Sequence, residues 1–306
     1  MLNTYLEQVQ RFIRDQKQQN IDMGNLVSYV NRARREVAGR TQCCRVLTPI
    51  SGQCISATVT AGGSGYTSPT VTITPPDFPS GKTPNPLGAQ ATASATVQAG
   101  VITAVDILYG GDGYFQPQAT VTDSTGSGAT VTVAISPINQ LNPGQEQYSF
   151  TDIDVSMVPG AGSVFAIRSV SVIYANYRYS LPMYSFSTYQ AMIRQYPFQY
   201  QYVPTFCSQF GQGASGSFFA YPLPSQIYQW EFDCNVLPQN LIDNLSVELI
   251  PQPWQDAVPY FAAHLAYLEL QNLNSAKFYL DLYEKTVLNY SQYARVGRVL
   301  NPYGRV

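Results

Sequence analysis

The sequence has few charged residues, since Asp, Glu, Lys and Arg make up only 12% of its 306 residues. This is about half of the usual share. It is rich in tyrosine, with 23 residues. A surface covered by neighbouring proteins would suit this composition, because neutral polar groups lose little on desolvation when they are paired. A β-rich protein with Tyr in its strands would suit it equally. The net charge of −2 argues against a dedicated nucleic-acid binder.

Residues that carry catalysis or bind metals are also scarce. The one histidine, His264, lies in an apolar helical pattern, which favours a packing or interface role over catalysis. The GxSxG, Walker A, HExxH and CxxC motifs do not occur. Asp152 and Asp154 could bind a cation or act as an acid–base pair, but a solvated strand edge is favoured. We therefore expect a protein that is not an enzyme, with no catalytic residue, no metal and no cofactor.

Long apolar runs are missing, since none approaches the roughly 18–20 residues that span a bilayer. We therefore expect no membrane partner. The odd number of cysteines, with an adjacent pair and no signal peptide, predicts reduced thiols in a protein made in a cytoplasm. Adjacent cysteines also lack the usual spacing of zinc ligands. The cysteines are Cys43, Cys44, Cys54, Cys207 and Cys234.

Helical patterns occupy both ends of the chain. Apolar residues spaced by three and four predict helices over 2–18 and 26–41, and a helical hairpin over 252–294. Asp256 and Asn274 are the predicted N-caps of the hairpin helices. A hairpin needs a partner for its apolar stripe, and the only other helical material is at the N-terminus. The sequence therefore predicts a bundle of about four helices closed by both chain ends.

Basic residues are concentrated at the start of the chain. Residues 1–45 contain eight basic and four acidic residues, a net charge of +4. This surface could face phosphate or the acidic groups of a partner protein, or it could be an ordinary solvated face. Both interpretations remain open.

An internal repeat lies between the helical ends. The motif GGSGY at 62–66 returns as GGDGY at 110–114, 48 residues later. Strands flank both copies, so we expect structural turns rather than the phosphate-binding loops that precede a helix. The turn residues are Gly62, Gly65, Tyr66, Gly110, Gly113 and Tyr114. The sequence predicts a small sandwich-like β module here.

The remaining segment, 138–250, is predicted to be mostly strands, at 164–174, 177–181, 218–221, 227–235 and 245–250, with one helical piece at 187–195. The aromatic stretch 196–206 suits either an interface or packing on its own sheet. The sequence as a whole predicts an α+β fold with a helical bundle (1–50 and 251–306), an inserted all-β repeat module (51–137) and a β-rich domain (138–250).

This organisation resembles the head-to-tail adaptor proteins of short-tailed bacteriophages, a group that includes tail tubular protein A and head-completion adaptors. The architecture matches over roughly 1–50 and 140–306, whereas the repeat module departs from the smallest adaptors. The residues that carry the resemblance are LVSYVNRARREVA (26–38), TQCCR (41–45) and the hairpin positions Pro253, Trp254, Ala257, Val258, Tyr260, Ala262, Ala263, Ala276, Phe278, Tyr279 and Tyr283.

The resemblance implies a structural protein at the head–tail junction of a virion, assembled in the host cytoplasm. It implies a homo-oligomeric ring, generally of twelve subunits, between the portal protein and the tail nozzle protein. Double-stranded DNA would pass through the ring without specific contacts during packaging, retention and ejection. The module 51–137 would lie on the outside of the ring, where it could touch a tail fibre or spike.

The last residues form the predicted portal-binding segment. Gly and Pro interrupt the helical pattern after residue 294, while apolar and basic residues continue. Such a tail folds onto a partner or stays disordered. The predicted contacts are Arg295, Arg298, Val299, Leu300, Tyr303, Arg305 and Val306. Two alternatives remain: a tail-associated receptor- or glycan-binding β-rich protein, suggested by the repeat and the aromatic loops, and a virion hydrolase, which the single His264 disfavours.

Overall fold

The computed structural model describes residues 1–14, 21–77, 88–174, 177–195 and 201–293. Within these residues the fold is mixed α+β, with five α-helices and a closed six-stranded barrel. The predicted α+β class is therefore confirmed. The helices are α1 (Leu2–Ile13), α2 (Met23–Thr41), α3 (Phe186–Ile193), α4 (Val258–Glu269) and α5 (Leu273–Tyr293).

Local hydrogen bonds set the ends of the first two helices. α1 ends at Ile13 rather than at residue 18, because Arg14 adopts a left-handed conformation with φ of 57°. α2 begins after Asp22, whose carboxylate accepts a hydrogen bond from the Gly24 N–H at 2.9 Å, as an N-cap does.

The predicted N-caps of the C-terminal hairpin are wrong. Asp256 lies in a short 3-10 turn before α4, and its carboxylate accepts a hydrogen bond from the Tyr290 hydroxyl at 3.1 Å. At the next helix the side chain of Asn272, not Asn274, accepts from the Ser275 N–H at 3.2 Å. The cap lies before Leu273 because α5 begins at that residue.

Helices from the two ends of the chain contact one another. Phe12 in α1 stacks on Tyr260 in α4, with ring centroids 5.5 Å apart. Its backbone carbonyl accepts hydrogen bonds from the hydroxyls of Tyr267 at 2.9 Å and Tyr279 at 3.3 Å. Apolar residues of α1, α2, α4 and α5 belong to one core.

The strands are β1 (Arg45–Leu47), β2 (Cys54–Ser64), β3 (Thr70–Ile73), β4 (Thr92–Gln98), β5 (Val101–Tyr109), β6 (Ala119–Thr122), β7 (Ser127–Ile135), β8 (Gln140–Leu141), β9 (Gln147–Ser149), β10 (Ala161–Tyr174), β11 (Tyr177–Leu181), β12 (Met183–Tyr184), β13 (Gln201–Tyr202), β14 (Phe206–Phe210), β15 (Ser217–Tyr221), β16 (Leu223–Pro224) and β17 (Tyr228–Pro238). The main sheet has the order β1-β17-β10-β11, with β8 also paired to β17. A second sheet has the order β12-β14-β15-β9, and β13 pairs with β16.

The central strand β17 is buried on both faces. On one face, Trp230 and Phe232 pack edge-on against Phe218 of the second sheet, at centroid distances of 4.9 and 5.5 Å. The other face carries a row of polar side chains at every second position, Gln229, Glu231, Asp233 and Asn235. The main core therefore lies between the two sheets and continues under the helices.

The repeat forms a closed barrel with the order β2-β5-β4-β3-β6-β7, instead of the sandwich-like module that the sequence predicts. The first copy supplies β2, β3 and β4, and the second supplies β5, β6 and β7. The last strand of each copy pairs with the first strand of the other, β4 with β5 and β7 with β2. β2 also pairs with β5, and β3 with β6, so four pairings join the two copies and neither copy alone could close the barrel.

The predicted strand at 245–250 is wrong, because this segment is an irregular connection between β17 and α4. The backbone N–H groups of Leu245 and Ser246 donate to the Asp243 side chain, and that of Ile250 donates to Glu248, so they form no strand ladder. Its apolar residues Leu245 and Val247 face solvent, and Glu248 pairs with Arg34 of α2, so the residue pattern of a strand is here that of a loop.

Candidate protein-binding site

The repeat turns are built as structural turns. In the first copy Gly65 has a φ of 79°, and in the second Gly113 has a φ of 94°, values that favour glycine. The two tyrosines that follow are buried. The Tyr66 hydroxyl accepts from the Ala129 N–H at 3.0 Å.

The tyrosine of the second copy, Tyr114, makes two hydrogen bonds. Its hydroxyl accepts one from the Ala91 N–H at 2.8 Å and donates the other to the Thr74 carbonyl at 3.0 Å. Each tyrosine therefore fastens its own turn to the opposite part of the barrel. Strands flank both turns, so their backbone amides lack the following helix that phosphate loops use.

The first glycines of the two motifs serve close packing. A Cβ on Gly62 would lie 2.7 Å from the Ile102 carbonyl, and one on Gly110 would lie 2.6 Å from the Cys54 carbonyl. The positive φ values belong instead to the next glycines, Gly63 and Gly111, and to Gly65 and Gly113.

Two aspartates cap the turns of the opposite repeat copy. The Asp77 carboxylate accepts from the N–H groups of Phe115 and Gln116 at 2.7 and 2.9 Å. Asp123 does the same for Thr67 and Ser68, also at 2.7 and 2.9 Å. These backbone hydrogen bonds lower the pKa of Asp123 to about 2. Each copy thus reinforces the turn of the other, and these contacts account for the geometry that the two turns share without a ligand.

The other chemically suggestive residues also serve structure. The His264 Nδ1 lies 2.9 Å from the Ala276 carbonyl and so joins α4 to α5. Asp152 accepts from the Ser149 N–H at 3.0 Å, and Asp154 from the Ser156 N–H at 2.7 Å. The part of the chain that the structure describes contains no cluster of three or more His, Cys, Asp or Glu residues that could hold a metal.

The adjacent cysteines lie where α2 meets β1. Their sulfur atoms are 3.8 Å apart, with Cys44 buried and Cys43 partly exposed. A hydrogen bond from the neighbouring thiol lowers the pKa of Cys43, whereas that contact and burial raise the pKa of Cys44. Cys44 belongs to the main core, and so we assign the pair a packing role.

The polar row of β17 is neutralised by arginines on neighbouring strands. Asp233 accepts from the Arg45 Nε at 2.6 Å, and Glu231 accepts from Arg178 at 3.0 Å. Burial raises the pKa of Glu231, and Arg178 partly offsets this. The arginine side chains remain about half exposed, so these ion pairs stabilise the sheet only modestly.

The first part of the connection from β17 to α4, residues 239–250, is held against α2 by hydrogen bonds, and we call it the clamped loop. The buried Arg34 guanidinium donates to both carboxylate oxygens of Glu248, at 2.9 and 2.8 Å. It also donates to the Gln239 carbonyl at 2.6 Å. The Asn31 side chain both donates to the Leu241 carbonyl and accepts from its N–H, at 3.0 and 2.8 Å.

The tip of the clamped loop is fixed by its own side chains. The Asp243 carboxylate accepts from the N–H groups of Leu245 and Ser246 at 3.1 and 2.8 Å, and from the Ser246 hydroxyl at 2.8 Å. These hydrogen bonds lower the pKa of Asp243, and the one from the Ser246 hydroxyl has the largest effect. Asn244 accepts from the Asn3 N–H of α1 at 2.9 Å. The tip therefore has a defined conformation despite its exposure.

This rigid tip presents apolar side chains to solvent. Ile242 is 84% exposed, Leu245 89% and Val247 52%; we call these three residues the apolar knob. Single exposed apolar residues are common on protein surfaces, but three within six residues of a rigid loop make a candidate binding surface. The apolar knob is the strongest candidate for a protein-binding site among the described residues.

A second apolar surface is concave. A cavity of about 340 Å³ is lined by Tyr174, Tyr179, Tyr202, Leu181, Val203 and Pro204, together with Ser180 and Thr205; we call it the tyrosine cleft. Its three tyrosines are each partly exposed. Aromatic rings that combine a wide apolar area with a polar tip are enriched at protein interfaces.

The structure describes only part of the segments that the sequence predicts to bind partners. The predicted portal-binding residues, Arg295, Arg298, Val299, Leu300, Tyr303, Arg305 and Val306, lie outside the described residues, as do residues 196–200. In the rest of the aromatic stretch, Phe206 is buried in a cluster with Tyr189 and Tyr221, whereas Tyr202 is half exposed in the tyrosine cleft. The packing interpretation therefore holds for Phe206, and the interface interpretation stays a prediction for Tyr202.

Sequence reasoning missed the apolar knob. The signal was the segment LIDNLSVELI (241–250), whose Asp-Asn-Leu-Ser portion is typical of a side-chain-capped turn. Comparisons of the sequence with protein-family models and with curated proteins found no match. No helix among the described residues is long and apolar enough to cross a membrane.

Proposed function

We propose that this chain is a structural subunit of a head-to-tail adaptor of a short-tailed bacteriophage. It assembles into a ring between the portal and the tail, and so continues the channel for DNA packaging, retention and ejection. The observation that carries the proposal is the apolar knob, a rigid apolar surface held by Arg34 and Asn31 beside the helices of both chain ends. Such a surface gains stability when a neighbouring protein covers it.

The arrangement of the chain supports the same role. We propose that α1, α2, α4 and α5 form one bundle that faces the portal, since residues of all four share a core. The β-rich domain 138–250 would then face the tail nozzle. The chain enters and leaves the barrel at Gln53 and Ser136, which are paired by hydrogen bonds of 2.8 and 2.9 Å. A barrel joined at one point suits a position on the outside of a ring, within reach of a fibre or spike.

The proposed channel needs weak contacts with DNA. A tight basic groove would hold phosphates and oppose sliding. The overall net charge of −2 fits a channel whose wall is neutral or mildly repulsive. We propose no enzymatic activity and no cofactor.

The test is assembly with the cognate portal protein that this proposal implies. The purified proteins are mixed and examined by native mass spectrometry and negative-stain electron microscopy. We expect a ring, of about a dozen subunits by analogy with the adaptors, stacked on the portal ring. Deletion of residues 297–306 should abolish portal binding while the far-UV circular dichroism and the unfolding midpoint stay unchanged. Unchanged portal binding by the deletion variant would contradict the portal role of Arg298–Val306.

A second candidate function is a tail-associated receptor- or glycan-binding protein. It is favoured by Leu108 and Tyr109, which are both more than half exposed at the end of β5, since exposed aromatic rings can stack on sugars. Such a protein would be a trimer rather than a larger ring. A particle of three subunits that binds host surface glycans, and that loses binding on Tyr109→Ala, would favour this function over the adaptor.

A further inference from the structure

The apolar knob and the tyrosine cleft lie at opposite ends of the longest strand pair in the described chain. β17 ends at Pro238, which pairs with Ala161 at the start of β10, and the clamped loop follows directly. The loop is tied to this end, because the Gln239 N–H donates to the Gly160 carbonyl at 2.9 Å. The last residue of β10, Tyr174, lines the tyrosine cleft.

The distance between these two features excludes contact within one molecule. β10 has 14 residues and three register shifts that shorten it, and a rise of about 3.3 Å per residue makes it at most about 45 Å long. The clamped loop cannot extend to cover that distance, since Arg34 and Asn31 hold it on α2. An apolar knob therefore cannot fill the cleft of its own chain.

The two surfaces are both apolar, and one projects while the other is concave. The apolar knob projects two aliphatic side chains that are more than four-fifths exposed. The tyrosine cleft is concave, and its volume of about 340 Å³ lies within the range of pockets that bind apolar ligands. Pairing two knobs would leave both clefts empty, whereas pairing a knob with a cleft covers both surfaces.

We propose that the apolar knob of one copy occupies the tyrosine cleft of the next copy. This contact joins two different surfaces, so it is head-to-tail, and successive copies form a closed ring or an open filament according to the rotation between them. The inference rests on the proposed function, and it names the subunit contact of the ring. The partner is a second copy of this chain.

The first experiment traps the contact between copies. Leu245→Cys is made in one preparation of the full chain and Thr205→Cys, at the exposed side of the cleft, in another that carries a mass tag. After mixing, a short bismaleimide should yield a dimer that contains one tagged and one untagged chain. The matched control pairs Leu245→Cys with Leu108→Cys, which is 69% exposed on β5 of the barrel and does not line the cleft, and should give no such dimer. The native cysteines are controlled by cross-linking the unaltered chain.

The second experiment measures assembly. Leu245→Asp should raise the dissociation constant between copies by at least about 30-fold, the effect of losing a central interface side chain. Tyr202→Ala should weaken assembly in the same direction from the other side of the contact. Leu288→Asp is the control, because Leu288 is 60% exposed on α5 and belongs to neither surface. Sedimentation velocity gives the constants, and circular dichroism verifies that each variant is folded.

The outcomes separate this inference from the adaptor proposal. If the native chain forms a ring and the ring is unaffected by Leu245→Asp, with no cross-link to Thr205→Cys, the inference is overturned and the adaptor stands. If the cross-link forms while no portal binding occurs, the contact stands and the adaptor proposal fails. A chain that stays monomeric and gives no cross-link at high concentration overturns the inference as well.

Discussion

Arg34 shows how one residue can organise a surface that it does not itself form. Its side chain is almost fully buried, and Glu248 opposite it is 4% exposed. The guanidinium also donates to the Gln239 carbonyl and to the Asn31 side chain, so it bonds four acceptor oxygens on three groups. Because a buried ion pair is costly to desolvate, its geometry matters more than its charge. This pair holds the clamped loop, and through it the apolar knob.

We predict that Arg34→Met lowers the free energy of unfolding by about 3–5 kcal/mol, because it leaves Glu248 buried without its partner. Urea unfolding at neutral pH measures the change. Arg35→Met is the control, since Arg35 is the exposed neighbour on the same helix and its loss should cost less than about 0.5 kcal/mol.

The double variant Arg34→Met/Glu248→Met sharpens this test. It removes both charges, and so it should recover part of the stability that Arg34→Met alone loses. A single variant as stable as Arg35→Met would show that the loop does not depend on the ion pair.

The sequence could not single out this arginine. Arg32, Arg34, Arg35 and Arg40 read as one basic cluster on a predicted helix, but only Arg34 is buried. Whether an arginine on a helix faces solvent or a partner depends on where a distant carboxylate is placed. Here that carboxylate lies 214 residues away in the chain.

At the scale of elements, the barrel is the clearest example of a structure shared by two repeat copies. The two tyrosines occupy equivalent positions but make different contacts. Tyr66 has one hydrogen bond to a backbone N–H of β7, whereas Tyr114 bonds an N–H before β4 and also donates to a carbonyl after β3. The repeat is therefore not energetically symmetric.

We predict that Tyr114→Phe destabilises the protein by about 1–3 kcal/mol, because it leaves a buried N–H and a carbonyl without their partner. Tyr66→Phe should cost less, since only one hydrogen bond is lost there. Tyr109→Phe, at an exposed position of β5, serves as the control and should be neutral. Thermal unfolding of the full chain gives the ranking, and equal losses for Tyr66→Phe and Tyr114→Phe would contradict it.

Strands were predictable in the barrel because apolar and polar residues alternate along each of them. Closure was not, because it depends on β3 meeting β6 and on β2 meeting both β5 and β7. The same alternation produced the wrong strand prediction at 245–250. Its alternation places Val247 toward solvent and Glu248 toward Arg34, a pattern that a loop can share with a strand.

For the molecule as a whole, the barrel is an insertion whose two ends meet. The Ser136 N–H donates to the Gln53 carbonyl at 2.8 Å, and the Gln53 N–H donates to the Ser136 hydroxyl at 2.9 Å. A chain that leaves and re-enters at one point can lose the insertion without strain in the remainder. The barrel also has apolar clusters of its own.

We predict that replacing residues 54–135 with a short Gly-Ser linker leaves a folded protein, because the linker has only to join two residues already in contact. A separate chain of residues 52–137 should also fold. Circular dichroism and cooperative urea unfolding of both products measure this. A noncooperative transition in the shortened chain would show that the barrel is needed for the main core, and that 51–137 is not an independent domain.

The sequence by itself determined the kinds of element and their order: helices at both ends, a glycine-tyrosine repeat and strands between. These follow from local spacing and from backbone preferences that glycine and proline impose. Only the tertiary structure decided that the repeat closes into one barrel, that Arg34 is buried while its neighbours are not, and that Ile242 and Leu245 are held out in solvent. Each of these depends on contacts between residues far apart in the chain, and the spacing of residues along a sequence does not show which distant residues come into contact.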